Sequence, residues 1–120
     1  AGEDATEGVL RNVRECGARL ALGRPIDLVL LHWPGVFGSS DAALNERKRI
    51  EMWRGLERAK EEGLCRSIGV SSFTRRHLEQ LYAHDLAHAP VVNQLQCHPL
   101  HSNAELVRYC RDKGVTVTAW

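Results

Sequence analysis

The sequence predicts an α/β fold in which four parallel strands alternate with four helices, about half of a (β/α)8 TIM barrel. Three observations lead there. Helical and strand-like patterns alternate along the 120 residues, with strands recurring about every 25 to 40 residues, as in βαβ units. The first strand has a continuously apolar core, the pattern of a strand buried on both faces in a parallel sheet. No Gly-x-Gly-x-x-Gly follows any strand, so the dinucleotide fingerprint of an open doubly wound sheet is absent. A complete barrel takes about 250 residues. Residues 1–120 are therefore expected to form a single partial domain.

The first helix is expected from about Thr6 to Leu22, with Val9, Val13, Cys16 and Leu20 as its apolar stripe. Gly23 supplies its stop, and Pro25 prevents continuation. Ile26–Trp33, "IDLVLLHW", is the first strand, with Leu28–Leu31 as the apolar core. Pro34–Asn45 reads as a loop rich in Gly, Ser and Asp. A second helix follows from about Glu46 to Glu62, placing Ile50, Trp53, Leu56 and Ala59 on one face. Its charged run, "ERKRIEMWRGLERAKEE", reads as a solvated face. Ser67–Val70 is a short strand. Thr74 is a natural N-cap for a third helix to about His84, with Leu78, Leu81 and Tyr82 turned inward. Val91–Gln96 is the third strand. Ser102 and Glu105 have capping-box spacing and announce a fourth helix ending near Lys113. Val115–Trp120 is the last strand, rich in β-branched residues.

Bulk properties exclude several classes. Hydrophobic residues make up 43% and charged residues 26%, a globular composition. A net charge of +1 gives no reason to expect nucleic acid or an anionic membrane as partner. No apolar run approaches the roughly 20 residues of a membrane span. The N-terminal "AGEDATEG" has no signal-peptide character. Cys16, Cys65, Cys97 and Cys110 show no C-x-x-C pairing and read as small buried hydrophobes in a reducing compartment. A cytoplasmic protein is expected. Position 1 is not Met, and Trp120 lies inside an apolar run, so both ends read as cut from a longer chain. His84 with His88, and Cys97 with His98 and His101, match no standard zinc spacing, and no metal is expected.

Barrel chemistry is done at the C-terminal ends of strands. Those ends carry His32 and Trp33, then Ser71 and Ser72, then Asn93, Gln94 and Gln96, then Trp120. Tryptophans and side-chain amides at such stations suit a flat, amide-bearing ligand, which an aromatic face can stack on and amides can pin.

Four segments resemble one family. "IDLVLLHWP" is similar to the aldo-keto reductase strand D-L-x-L-I-H-W-P, and "GLCRSIGVSSF" to its K/R-x-I-G-V-S-N-F segment. "VVNQLQCHPL" resembles V-N-Q-x-E-C-H-P, and "CRDKGVTVTAW" resembles C-x-x-K-G-I-x-V-T-A-Y. All four occur in family order. The resemblance implies a (β/α)8 barrel that binds NADP(H) across its strand ends without a Rossmann domain and transfers hydride to a small-molecule aldehyde or ketone. His32 matches the histidine that orients the substrate carbonyl, and Trp33 a wall of the substrate pocket. Ser71 and Ser72 match the Ser-Asn pair at the nicotinamide carboxamide. Gln94 matches the glutamine that also contacts it, and Trp120 the aromatic that stacks on the ring.

The sequence departs from the pattern in three places. Ser72 stands where Asn is usual, Gln96 replaces Glu, and Trp120 replaces Tyr. The family's catalytic Asp, Tyr and Lys lie on strands preceding this segment, and its basic grip on the 2′-phosphate follows the last strand here. Tyr82 and Tyr109 fall on expected helices and are poor candidates for the proton donor. The resemblance thus implies a parent protein that reduces carbonyls, and 120 residues that need the remainder of the barrel for closure and are inactive alone. Two other readings stay open: a non-catalytic nucleotide-binding or regulatory barrel subunit, and an inactive truncation product whose open strand edges would aggregate or pair.

Overall fold

A computed structural model describes residues 4–120. Residues 1–3, where the acidic N-terminal stretch begins, lie outside the described residues. The elements are α1 (Ala5–Leu20), β1 (Ile26–Leu31), α2 (Ala42–Glu61), β2 (Cys65–Ser71), α3 (Arg75–Tyr82), β3 (Val92–Leu95), α4 (Ala104–Asp112) and β4 (Thr116–Ala119). The strands form one parallel sheet whose spatial order is the chain order. An open doubly wound sheet reverses strand order at a switch point. Here there is no reversal, and crossovers of one hand place successive helices on the same face. This is the winding of a barrel.

The register shows which residues face the helices. Leu31 pairs with Val70, Val70 with Asn93, and Asn93 with Val117. This row, with Val29, Ile68 and Val115, packs against Leu10, Val13, Trp53, Leu56, Leu78, Leu81 and Cys110 of the helices. Trp53 is fully buried on α2, and its indole Nε1–H donates to the His88 carbonyl at 3.1 Å. The intervening residues, Leu28, Leu30, Val92 and Thr118, point to the opposite face. Leu28 is 39% exposed there. Burial of β1 on both faces, expected from its apolar run, is therefore not what these residues achieve: among the described residues only the helix side is covered.

Two glycines permit close approach. A Cβ on Gly55 would fall 2.7 Å from the Thr6 carbonyl oxygen, so α1 and α2 touch backbone to backbone there. One on Gly69 would fall 2.6 Å from the Val92 carbonyl oxygen and 2.8 Å from Leu30 Cδ2. Gly69 thus lets Leu30 lie across β2.

Several expected boundaries move. α1 stops at Leu20, because Ala21 adopts a left-handed conformation (φ 47°) and its N–H bonds the Ala18 carbonyl. The buried stripe of α1 is carried by Leu10 and Val13, while Cys16 and Leu20 are exposed. The reason is that α1 leans on α2 rather than on the sheet. α2 begins four residues before Glu46, since the Asp41 carboxylate accepts the Leu44 N–H at 3.0 Å and caps it. Thr74 caps α3 as expected, with His77 in the place of the usual Glu: its Nδ1 accepts the Thr74 N–H at 3.2 Å. The Ser102–Glu105 capping box does not form. Asn103 takes the cap position with φ 49°, and its Nδ2 donates to the Gln96 carbonyl at 2.8 Å instead. Of the four cysteines, all free, only Cys65 and Cys110 are buried; Cys16 is exposed and Cys97 half-buried.

Candidate functional site

The four strand ends converge. His32 and Trp33 follow β1, Ser71 ends β2 and Ser72 follows it, Gln94 sits in β3, and Trp120 follows β4. Among the described residues, these six line one cleft of about 310 Å3. A larger cleft of about 550 Å3 runs along β4 and α4, but its lining is mainly aliphatic and gathers no comparable polar groups.

A hydrogen-bonded corner sets the site's geometry. The Gln94 carbonyl oxygen accepts both the Ser72 N–H at 2.9 Å and the Ser71 hydroxyl at 3.1 Å. Ser72 holds φ 60°, a left-handed conformation that is costly for a residue with a Cβ. The next residue, Phe73, is fully buried. Asn93 locks it: Nδ2 donates to the Phe73 carbonyl at 2.9 Å, and Oδ1 accepts the Phe73 N–H at 3.4 Å. Backbone bonds from Trp120 N–H to the Leu95 carbonyl (3.0 Å) and from Cys97 N–H to the Trp120 carbonyl (3.4 Å) carry the β3–β4 pairing past the strand ends. They fix the base of the Trp120 side chain.

The chemical capacity of the cleft follows. The Ser71 hydroxyl proton is committed, so its oxygen is left as an acceptor. The Ser72 hydroxyl, the Gln94 carboxamide and the His32 ring make no hydrogen bond among the described residues. Trp33 and Trp120 are 55% and 62% exposed and present large apolar faces. Donors, acceptors and aromatic faces together suit a planar group carrying a carboxamide.

Two of the amides read from the strand ends do not reach the cleft. Asn93 is fully buried on the helix side, where it serves the Phe73 backbone. Gln96 is exposed, with its Nε2 at 3.4 Å from His98 Nε2. Tyr82 and Tyr109 lie on α3 and α4, with their rings 5.8 and 5.9 Å from Lys113 Nζ. Burial pushes both phenols up.

Residues passed over in the sequence hold the β1–α2 loop. Arg49, only 4% exposed, donates Nε–H to the Pro34 carbonyl at 2.6 Å and Nη1–H to Gln80 Oε1 at 2.6 Å. Gln80 in turn donates to Glu46 at 2.7 Å. Asn45 accepts the Val36 N–H at 2.8 Å and donates to the Ser39 carbonyl at 3.0 Å. Glu57 is also buried, accepting the His88 N–H at 3.0 Å. The charged run of α2 is thus not wholly a solvated face. The available signal was the Arg49–Trp53–Leu56 spacing of four and three, which places Arg49 on the buried stripe.

The Aldo/keto reductase family profile matches residues 2–120. This chain belongs to the aldo/keto reductase family. An uncharacterised oxidoreductase of Saccharomyces cerevisiae is 38% identical over 109 residues, covering 90% of this chain and 36% of that protein. The glyoxal reductase of Bacillus subtilis is 39% identical over 95 residues, covering 79% of this chain and 30% of that protein. Among solved structures, the aldose reductase of Giardia lamblia superposes with a TM-score of 0.84 at 32% identity, over 98% of this chain and 41% of that one. A Bombyx mori aldo-keto reductase in complex with NADP gives 0.84 at 32% identity, over 98% of this chain and 37% of that one. The chain spans about a third of the length of the curated aldo/keto reductase relatives it matches. Its four-stranded sheet and four helices correspond to a fragment of their (β/α)8 barrels.

Proposed function

We propose that residues 1–120 are one part of an NADP(H)-dependent carbonyl reductase barrel, with the strand-end cleft receiving the nicotinamide end of the cofactor. The convergence of His32, Trp33, Ser71, Ser72, Gln94 and Trp120 on one cleft carries this reading. Solved relatives crystallised with NADPH or NADP support the cofactor. A relative acting as a glyoxal reductase supports a small aldehyde or ketone as substrate.

The residues fit the group. Gln94 and Ser72 offer uncommitted donors and acceptors for a carboxamide, Ser71 offers an acceptor, and Trp120 a stacking face. When bound, reduced NADP supplies the hydride for a carbonyl carbon. His32 donates a ring N–H to the carbonyl oxygen, polarising it and stabilising the negative charge that develops. Trp33 forms a wall that holds the carbonyl-bearing group. The proton for the resulting alkoxide comes from a Tyr on the remaining strands of the closed barrel, not from Tyr82 or Tyr109. The four free cysteines are in keeping with a reducing, cytoplasmic setting.

The test is NADPH oxidation by the full-length protein against a panel of aldehydes and ketones. Turnover is expected. His32→Ala should lower kcat by about 100-fold or more, the scale for losing an oxyanion-stabilising donor. Residues 1–120 alone should show none. NADPH binding by the full-length protein without any turnover would overturn the enzyme reading in favour of a nucleotide-binding regulatory role. Unchanged kcat in His32→Ala would overturn the role given to His32.

A further inference from the structure

Away from the strand ends, α2, α3 and the loop before α2 enclose a second cleft of about 300 Å3. Ser39, Ser40, Arg49, Arg76, His77 and Gln80 are among its walls, and no carboxylate lines it. Its charge is therefore one-sided. Arg49 is a buried guanidinium whose Nε and Nη1 bond two neutral oxygens, those of Pro34 and Gln80. Its third nitrogen, Nη2, makes no hydrogen bond among the described residues. Arg76 makes neither a hydrogen bond nor an ion pair among them. Glu46 acts on Arg49 through space and shares the Gln80 amide with it, without a direct hydrogen bond or ion pair. Buried charges ordinarily have a bonded counter-charge; Arg49 has none bonded to it directly, and the exposed Arg76 lines the same polar cavity.

We propose that this cleft binds a tetrahedral oxyanion, the phosphate group of a small phosphorylated molecule, between the guanidiniums of Arg49 and Arg76. The donor set favours phosphate over carboxylate. Two guanidinium groups and the hydroxyls of Ser39 and Ser40 offer donors from several directions, more than two carboxylate oxygens can use. The Ser39 oxygen accepts the Asp41 N–H at 3.2 Å, which leaves its own proton free to donate. The volume lies at the small end of ligand pockets, about 300 to 1,000 Å3, and suits a phosphate with a short substituent.

The cavity also contains a reporter. The His77 ring packs edge-on to Phe73, with centroids 5.9 Å apart. Its pKa is pushed down to about 4, first by burial, then by Arg49 from α2 and by Arg76 beside it. A bound anion offsets both guanidiniums and raises it. Burial and Arg76 lower the Arg49 pKa in the same way, with Glu46 opposing.

The experiment is a titration of the full chain with inorganic phosphate at constant ionic strength, following the His77 ring resonances by NMR. Expected are a saturable shift in the millimolar range or tighter and a His77 pKa raised by about 1 unit. Arg76→Gln, whose fold is checked by its melting curve, should weaken binding about tenfold or more. Arg76→Lys should recover part of the loss, since it keeps the charge without the planar fork. A shift that chloride reproduces, a response that never saturates, or binding unchanged in Arg76→Gln would each overturn the proposal.

Discussion

Asn93 is expected to carry an unusual share of the fold's stability. It is fully buried, and its amide satisfies both backbone groups of Phe73, at 2.9 Å for the carbonyl and 3.4 Å for the N–H. A third contact reaches Cys110 Sγ at 3.7 Å. Replacing Asn93 with Ala removes every one of these at once. Phe73 is itself fully buried, so water cannot readily take the amide's place. An orphaned buried carbonyl costs about 1–3 kcal/mol. The longer N–H bond adds less, and the small void left behind adds about 1 kcal/mol. The sum is about 3 kcal/mol, a large part of the roughly 5–15 kcal/mol that holds an ordinary domain together. With a urea m-value of about 1–3 kcal/mol/M, the unfolding midpoint should fall by roughly 1–3 M. The exposed Gln96→Ala serves as control and should stay within about 0.5 kcal/mol of the parent. The assay is equilibrium urea unfolding of both variants in the full chain. A midpoint change in Asn93→Ala no larger than in Gln96→Ala would refute the reasoning, because it would mean that the Phe73 backbone finds other partners. Ser72 immediately precedes Phe73, so on the proposed function NADPH affinity of the full-length protein should fall with the stability.

Gly69→Ala should destabilise by about 1–3 kcal/mol, since the new methyl meets the Val92 carbonyl and Leu30; hydrogen exchange at the β2–β3 amides should rise with it. Ser72→Asn should stabilise by about 0.5 kcal/mol, because Asn tolerates the left-handed conformation held at φ 60°, and calorimetry should show a small rise in Tm. Acid should weaken the chain through His77. Its folded pKa, about 4, lies below the unfolded value of about 6.5, so this contribution is complete above about pH 6.5 and is lost as pH falls toward 4. Linkage sets a ceiling of about 3 kcal/mol, and solvent screening at this half-exposed ring reduces it to about 1 kcal/mol. His77→Gln should remove that part of the pH dependence between about pH 7 and pH 4.5; an identical acid response in both proteins would exclude it.

The strand-end stations were legible in the sequence because they follow from local signals. An apolar run, a stop, and polar or aromatic residues at the stop place His32, Ser71, Gln94 and Trp120 at one rim as soon as the strands are parallel. The division of labour between Asn93 and Gln94 was not legible. Neighbouring strand residues face opposite sides, and only the register with Val70 and Ser71 shows which amide meets the cleft. Arg49 escaped for a similar reason: its place on the buried stripe is visible, but its acceptor, the Pro34 carbonyl, belongs to another element. The failed capping box at Ser102 shows local pattern overruled by a longer-range bond, from Asn103 to Gln96. Burial of β1 was overread because an apolar run does not say how many of its faces are covered, and the described residues cover one.

The alternation along β3 has a consequence for change over time. Gln94 and Asn93 are chemical near-twins joined by one peptide bond, yet one answers to whatever enters the cleft and the other to the helices behind it. Selection on ligand preference can act on the first while the second stays fixed. The backbone between them is the exception: the Gln94 carbonyl holds both Ser71 and Ser72. A side chain can be exchanged at this strand end with little effect on its neighbours, whereas any shift of the strand itself would move the whole corner.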